Sequence, residues 1–317
     1  MRFLHALHMM AANFKQAYKL LVYKLVVFGV IASICYAILY TQFGNILRDS
    51  GFYAVINKGW LMLKNVFVDV QGAGTLSVEF KEAIRTLSEY IKTSTHTLGW
   101  VIAIIVIFSY VYGYFSGIAD YAMGDVINDH MSSFTHRGFL MSLFKYDGKR
   151  YLSQLFITLY RVIMHALMIV LMWLIMDKAF NTLGLFSIFL CVCLLIIIKA
   201  AIRAFLTDLR PSIITDGKSV TKALKGVFTN KFSNYLKAFL LYIVIEFICV
   251  YLVISVSIIT FGAGLLIIVP AMSLFFVALQ FVNYYMMEKK RFYITYDNIV
   301  IPKELREEEK LLNKMDI

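Results

Sequence analysis

Hydrophobic positions in this chain gather into six long runs separated by polar segments. Each run is close to, or longer than, the roughly 20 apolar residues that a helix needs to cross a bilayer. The runs are Leu21–Tyr40, Leu98–Ile118, Leu152–Met176, Leu183–Phe205, Tyr235–Ile259 and Phe261–Met287. The short Asp177–Thr182 turn joins the third to the fourth, and Thr260-Phe261-Gly262-Ala263-Gly264 joins the fifth to the sixth. Both pairs therefore read as helical hairpins. The pattern predicts an all-α fold, a polytopic membrane bundle of six transmembrane helices forming one membrane domain over residues 1–317.

Between the first two runs, residues 42–97 form the largest insert. Ile56, Trp60, Leu63, Phe67 and Val70 recur at spacings of four and three, and so do Phe80, Ile84, Leu87 and Ile91. Each series makes one stripe of a helix. Gly72-Ala73-Gly74 between them supplies a reversal, so the insert predicts an extracytoplasmic helical hairpin. Packing on the bundle or in the interface is its expected use, with a protein partner site as the alternative. Between the fourth and fifth runs, Val220, Ala223, Leu224, Val227 and Phe228 share a helical face opposite Lys218, Lys222 and Lys225. With Lys231 these lysines predict an amphipathic interfacial helix that attracts anionic lipid headgroups. Phe134 to Phe144 predicts a less basic interfacial piece, and Phe3–Lys19 a third. The cytoplasmic tail, 288–317, predicts a short strand within Arg291–Val300 and a charged helix from Lys303 to Lys314.

Composition agrees with the pattern. The chain is 60% hydrophobic and 16% charged, against about 45–50% and about 25% for soluble domains. The mean hydropathy is +0.74. The chain holds 26 Phe and 20 Tyr, which suit a protein with two water–lipid boundaries. The net charge of +11 lies beside the apolar runs, so it points to topology and lipid heads, and no nucleic acid is expected. Arg2, Lys15, Lys19 and Lys24 precede the first run without an acid, the segment from Arg203 to Lys237 carries seven bases, and Lys289-Lys290-Arg291 follows the sixth run. Cytoplasmic flanks are rich in Lys and Arg, and these three share a side only when spans are even in number. Both termini are therefore expected in the cytoplasm of a multi-pass plasma (inner) membrane protein, with the first run a retained span. Cys35, Cys191, Cys193 and Cys249 all fall inside apolar runs, so no disulfide is expected.

A charge inside a bilayer costs at least about 2.5–3.5 kcal/mol, so ionisable residues within the runs are candidates for function. Arg161 and His165 lie four apart on one face of the third run, and Glu246 lies deep in the fifth. Counting ~1.5 Å per residue, Arg161 sits ~13 Å in, Glu246 ~16 Å and His165 ~19 Å. Glu246 is therefore expected to pair with Arg161 beside His165, with Gln280 and Asn283 extending this intramembrane polar cluster. It fixes helix register or marks a proton or substrate path. Lys199 and Arg203 are expected to snorkel. Ser109, Gly113 and Gly117, spaced by four, predict close helix packing within the bundle or in a dimer, and Pro270 predicts a kink in the sixth helix. Asp120, Asp125, Asp129 and His130 read as a solvated helix end, and His5 and His8 as a surface pair. No metal or cofactor is expected. Asp216-Gly217-Lys218-Ser219 ends like a phosphate-binding loop but lacks its leading glycine and strand. No nucleophile elbow, zinc-protease helix or kinase set occurs.

Ser219-Val220-Thr221-Lys222-Ala223-Leu224-Lys225, the Asn234-Tyr235 entry into the fifth run and the Gly262-Ala263-Gly264-Leu265 to Pro270 segment, continuing to Phe281-Val282-Asn283-Tyr284-Tyr285, together carry a resemblance. Over residues 212–302 the chain resembles bacterial six-helix membrane proteins related to the glycerophosphodiester phosphodiesterase membrane domain. The resemblance implies a bacterial plasma-membrane bundle with amphipathic cytoplasmic helices, and it carries over no catalytic residue.

The expected function is non-enzymatic support of envelope assembly, lipid organisation or a partner complex. The alternatives are a small-molecule or lipid transporter using Arg161, His165 and Glu246, and then an enzyme acting on a lipid-borne substrate. Topology is directly testable. Reporter fusions at the N-terminus, after residue 70 and at the C-terminus should read cytoplasmic, external and cytoplasmic. Termini on opposite faces would remove the even span count.

Overall fold

The computed structural model describes residues 2–66, 72–135, 137–145, 147–179, 183–184, 186–230, 232–260, 262–295, 298–301 and 305. Lys231, Phe67, Val70, Phe261 and all of the expected tail helix except Leu305 lie outside the described residues, as do the side chains of Leu63 and Ile91. The helices are α1 Arg2–Ala12, α2 Phe14–Asp49, α3 Phe52–Val66, α4 Gly72–Thr93, α5 Thr95–Ser133, α6 Phe139–Leu143 and α7 Gly148–Leu174, which continues into a π turn, Ile175–Ala179. They are followed by α8 Phe186–Phe205, α9 Leu209–Asp216, α10 Val220–Thr229, α11 Phe232–Ile259 and α12 Leu265–Met287. Strands β1 Phe292–Thr295 and β2 Asn298–Val300 form an antiparallel hairpin in which Phe292 faces Val300. The tail expected to hold one strand holds this pair.

Six helical segments are long and apolar enough to cross a membrane: Phe14–Tyr40, Gly99–Ser133, Gly148–Lys178, Phe186–Asp216, Phe232–Ile259 and Leu265–Met287. Their large apolar side chains are extensively exposed, including Leu25, Val26 and Val30 on α2 and Leu240, Val244, Phe247 and Tyr251 on α11. Such faces suit lipid rather than water. Two spans continue more than ten residues past their apolar runs. α5 has 39 residues, ~58 Å of helix against ~30 Å of hydrocarbon, and beyond its apolar run residues 119–127, 130 and 131 are buried in protein. The fourth segment breaks at residues 206–208 and resumes as α9.

The chain divides into two compact units. The first comprises Met1–Val27, Gly113–Tyr160 and Lys199–Ile317. α12 is its core helix, with every residue from Leu274 to Tyr285 buried. A helix that is apolar all round belongs inside. α1 lies along it through Phe3 on Phe275, with ring centroids 5.4 Å apart, and through buried Ala6 and Met9. The second half of α5 contributes Ala119, Ala122, Met123, Val126 and Ile127, and α11 contributes Ala238, Tyr242 and Ile245. Gly124 is needed on α5, since a Cβ there would come within 2.9 Å of the Phe281 ring. α12 continues through Pro270. His130, at the inner end of α5, joins both ends of the chain. Asn13 Nδ2 lies 3.4 Å from its Nδ1, and its Nε2 donates to the Ile294 carbonyl at 3.1 Å.

The second unit comprises Phe28–Tyr112 and Arg161–Ile198. Here α3 packs on α4, with Gly59 so close to Phe80 that a Cβ would stand 3.0 Å from the ring. Phe80 and Ile84 are buried with Val55, Met176 and Ile188, and Leu39 and Val101 with Cys35, Tyr90 and Ile104. α4 begins at Gly72, so Gly72-Ala73-Gly74 forms its first turn and is not the expected reversal. The outer side of α3 is apolar, with Tyr53, Ile56 and Trp60 exposed. All four cysteines are free.

Candidate functional site

The second half of α5 carries Asp120 and Asp125 on the side that α7 and α9 approach, and the first unit is built around them. Asp120 is buried between two cations. Lys24 Nζ lies 2.6 Å from its Oδ1, and Arg210 Nη1 donates to its Oδ2 at 3.3 Å. Lys24 also donates to Ser273 Oγ on α12 at 3.1 Å. Arg210, only 3% exposed, reaches α7 with its other arm, Nη2 donating to Gln154 Oε1 at 3.2 Å. Gln154 Nε2 in turn donates to Thr158 Oγ1 at 2.8 Å and to the Gly113 carbonyl at 3.3 Å. A Cβ on Gly117 would collide with the Gln154 amide, and one on Gly113 would lie 3.0 Å from Thr158. Of the expected small-residue stripe, Gly113 and Gly117 therefore make room for the polar side chains of α7. Ser109 belongs to the other unit.

One turn further along, the Arg210 guanidinium carbon lies 5.2 Å from the Tyr121 ring centroid, and the Tyr121 hydroxyl meets Ser153 Oγ at 2.5 Å. Arg150 then closes the seam. Its Nη2 donates to Asp125 Oδ1 at 2.7 Å, its Nη1 lies 2.5 Å from Oδ2, and its Nε donates to Asp147 Oδ2 at 3.1 Å. Asp147 also caps α7 by accepting the Lys149 backbone N–H at 3.0 Å. The seam repeats one logic: a buried acid, an arginine from another helix, and a second acceptor on α7 or just before it for another arm. Desolvation makes each charge expensive alone, and the hydrogen-bonded pairing offsets that cost.

These positions correct the expectation of a solvated helix end. Asp120, Asp125 and His130 are buried, and Asp129 pairs with Arg137 at 3.2 Å. The helix continues past the apolar run, so the acids face protein. A second correction concerns Glu246. It is buried on α11 as expected, and it forms an ion pair with Arg203 of α8, a residue expected only to snorkel. Arg203 does not simply snorkel, since its guanidinium also lies 3.4 Å from the Phe276 ring centroid. Equal depth along two helices does not decide which helices are neighbours. His165 Nδ1 bonds the Arg161 carbonyl one turn earlier at 2.6 Å, and this pair lies in the second unit. Gln280 and Asn283 are buried on α12. Arg2 approaches Asn283 Oδ1 at 3.5 Å, while Gln280 Oε1 and Asn283 Nδ2 have no hydrogen-bond partner among the described residues.

The expected lysine face is divided. Lys218 turns to Asp216 at 3.0 Å and to the Tyr284 hydroxyl at 3.1 Å, beside Lys290, which also pairs with Asp216. Lys222 and Lys225 remain exposed. The expected surface pair also changes, because His5 packs edge-on against Phe292 with centroids 5.9 Å apart. Burial lowers its pKa below the usual histidine value, with help from nearby positive charge.

Sequence reasoning gave Arg210, Arg150 and Gln154 no site role. The available signal was the stripe Arg150, Ser153, Gln154, Thr158 on a helix whose opposite positions are Leu152, Leu155 and Leu159. Among the described residues no group of three or more His, Cys, Asp or Glu is placed to hold a metal ion. No protein family, curated protein or solved structure matches the chain.

The Glu246 pairing can be checked by charge reversal. Arg203→Gln should cost about 3–5 kcal/mol by leaving a buried acid unpaired, read as lost folded yield and a lower Tm in detergent. Arg203→Glu combined with Glu246→Arg should recover part of that loss. A double reversal no better than either single reversal would remove the assignment.

Proposed function

We propose that the chain is a non-enzymatic, architectural protein of the plasma (inner) membrane, with both termini cytoplasmic, supporting envelope assembly, lipid organisation or a partner complex. One observation carries this reading. The buried acids Asp120, Asp125 and Glu246 are each matched by an arginine from a different helix. Such matching fixes which helices are neighbours and in what register, as buried polar groups do in other assemblies. The apolar outer face of α3, with Tyr53, Ile56 and Trp60 exposed by 63, 54 and 60%, supports a membrane-interface or partner-facing role for the hairpin.

A transport reading is favoured by one separate feature, the unmatched buried amide atoms of Gln280 and Asn283 on α12. Intramembrane polar groups of this kind mark pathways in transporters. Gln280→Met separates the two. Replacing an unsatisfied buried amide by an apolar side chain of similar shape is close to neutral for stability. On the architectural reading, Gln280→Met should complement a gene deletion fully, with Tm unchanged or raised. Lost complementation at wild-type abundance would shift the assignment to transport.

A further inference from the structure

The first turns of α7 present a stripe of exposed residues, Lys149, Leu152, Leu155 and Leu159, at the spacing of one helical face. α10 is fixed beside this part of α7 at both of its ends. At its start, Lys149 Nζ donates to the Gly217 carbonyl at 2.8 Å, just ahead of the Ser219 cap. At its far end, Phe228 meets the Phe205 ring at 5.4 Å, and Phe205 stacks on Tyr160 of α7 at 5.0 Å. α10 therefore follows α7 in the same direction, its charged first turn near residue 149 and its apolar end near residue 160. Lys222 is exposed in that first turn, and Phe228 is 67% exposed at the end.

A cationic end thus leads into an apolar strip about 10 Å long, the sequence of headgroup and chain in a phospholipid. We propose that this face holds one anionic phospholipid, its phosphate at Lys149 and Lys222 and an acyl chain along Leu152, Leu155, Leu159 and Phe228. Charge complementarity selects the lipid class. A lysine ammonium has three donors, so Lys149 keeps two for a phosphate while holding the Gly217 carbonyl. The nearby acids Asp147 and Asp216 are occupied, Asp147 by Arg150 and Asp216 by Lys218 and Lys290. A neutral headgroup would gain only the apolar contact. The site requires the chain to span a membrane but is independent of the architectural function.

Native mass spectrometry of the full chain in neutral detergent, titrated with phosphatidylglycerol, phosphatidylcholine or glycerol 3-phosphate, tests the site. One phosphatidylglycerol should bind with clear preference over phosphatidylcholine, and glycerol 3-phosphate should not compete. Each lysine removed should weaken phosphatidylglycerol about fivefold, so Lys149→Gln with Lys222→Gln should weaken it about thirtyfold. Lys149→Arg with Lys222→Arg should retain binding. Lys222 is exposed, so Lys222→Gln alone carries the fivefold expectation if the double variant does not fold. Equal binding of the two lipids, unchanged affinity in the glutamine variants, or competition by glycerol 3-phosphate would overturn the proposal.

Discussion

A carboxylate held away from water between two cations is the interaction on which the first unit depends. Asp120 of α5 takes Lys24 from α2 and Arg210 from α9. Those two cations reach on to Ser273 of α12 and Gln154 of α7. Five helices distant in the chain therefore meet at one acid. An apolar face can slide or rotate against lipid at little cost, because lipid tails are as apolar as Leu. A buried ion pair cannot, since any shift that separates the charges restores their desolvation penalty. The apolar runs put the helices into a bilayer, and the seam decides how they are arranged there.

The same constraint explains the small residues around it. Gln154 can reach Arg210 only because Gly117 leaves its amide space, and Gly124 admits Phe281 of the buried helix α12. The glycines on α5 thus serve two partners, polar side chains of α7 at positions 113 and 117 and an aromatic ring of α12 at 124. Asn128, one turn beyond, accepts from Thr215 at 2.7 Å and from Tyr285 at 2.9 Å. Most of the second half of α5 is an interface, largely apolar towards α12 and polar towards α7 and α9.

Much of this architecture was legible in the sequence, and the limits of legibility are physical. Six runs of apolar residues are a property of each segment alone, and six helices of sufficient length and hydropathy result. Amphipathic stripes located α3, α4 and α10 for the same reason. Glu246 was recognisable as a buried acid, because a charge among Ile, Phe and Cys has few alternatives. Its pairing with Arg203 was not recognisable, since it depends on which helices touch. Asp120 and Asp125 were misread because hydropathy marks where an apolar run stops, while α5 continues to Ser133 as a helix inside protein. Arg210 was hidden in a segment whose bases read as a cytoplasmic flank, although it is 3% exposed.

The central claim is that the Asp120 pairing sets the arrangement of the first unit. A double-mutant cycle on Asp120→Asn and Arg210→Gln, read by equilibrium unfolding of the purified chain in detergent, tests it most directly. The account predicts that each single change costs about 3–5 kcal/mol and that the pair is non-additive by about 1–3 kcal/mol. Single changes within about 0.5 kcal/mol of the wild type, or strict additivity, would contradict it.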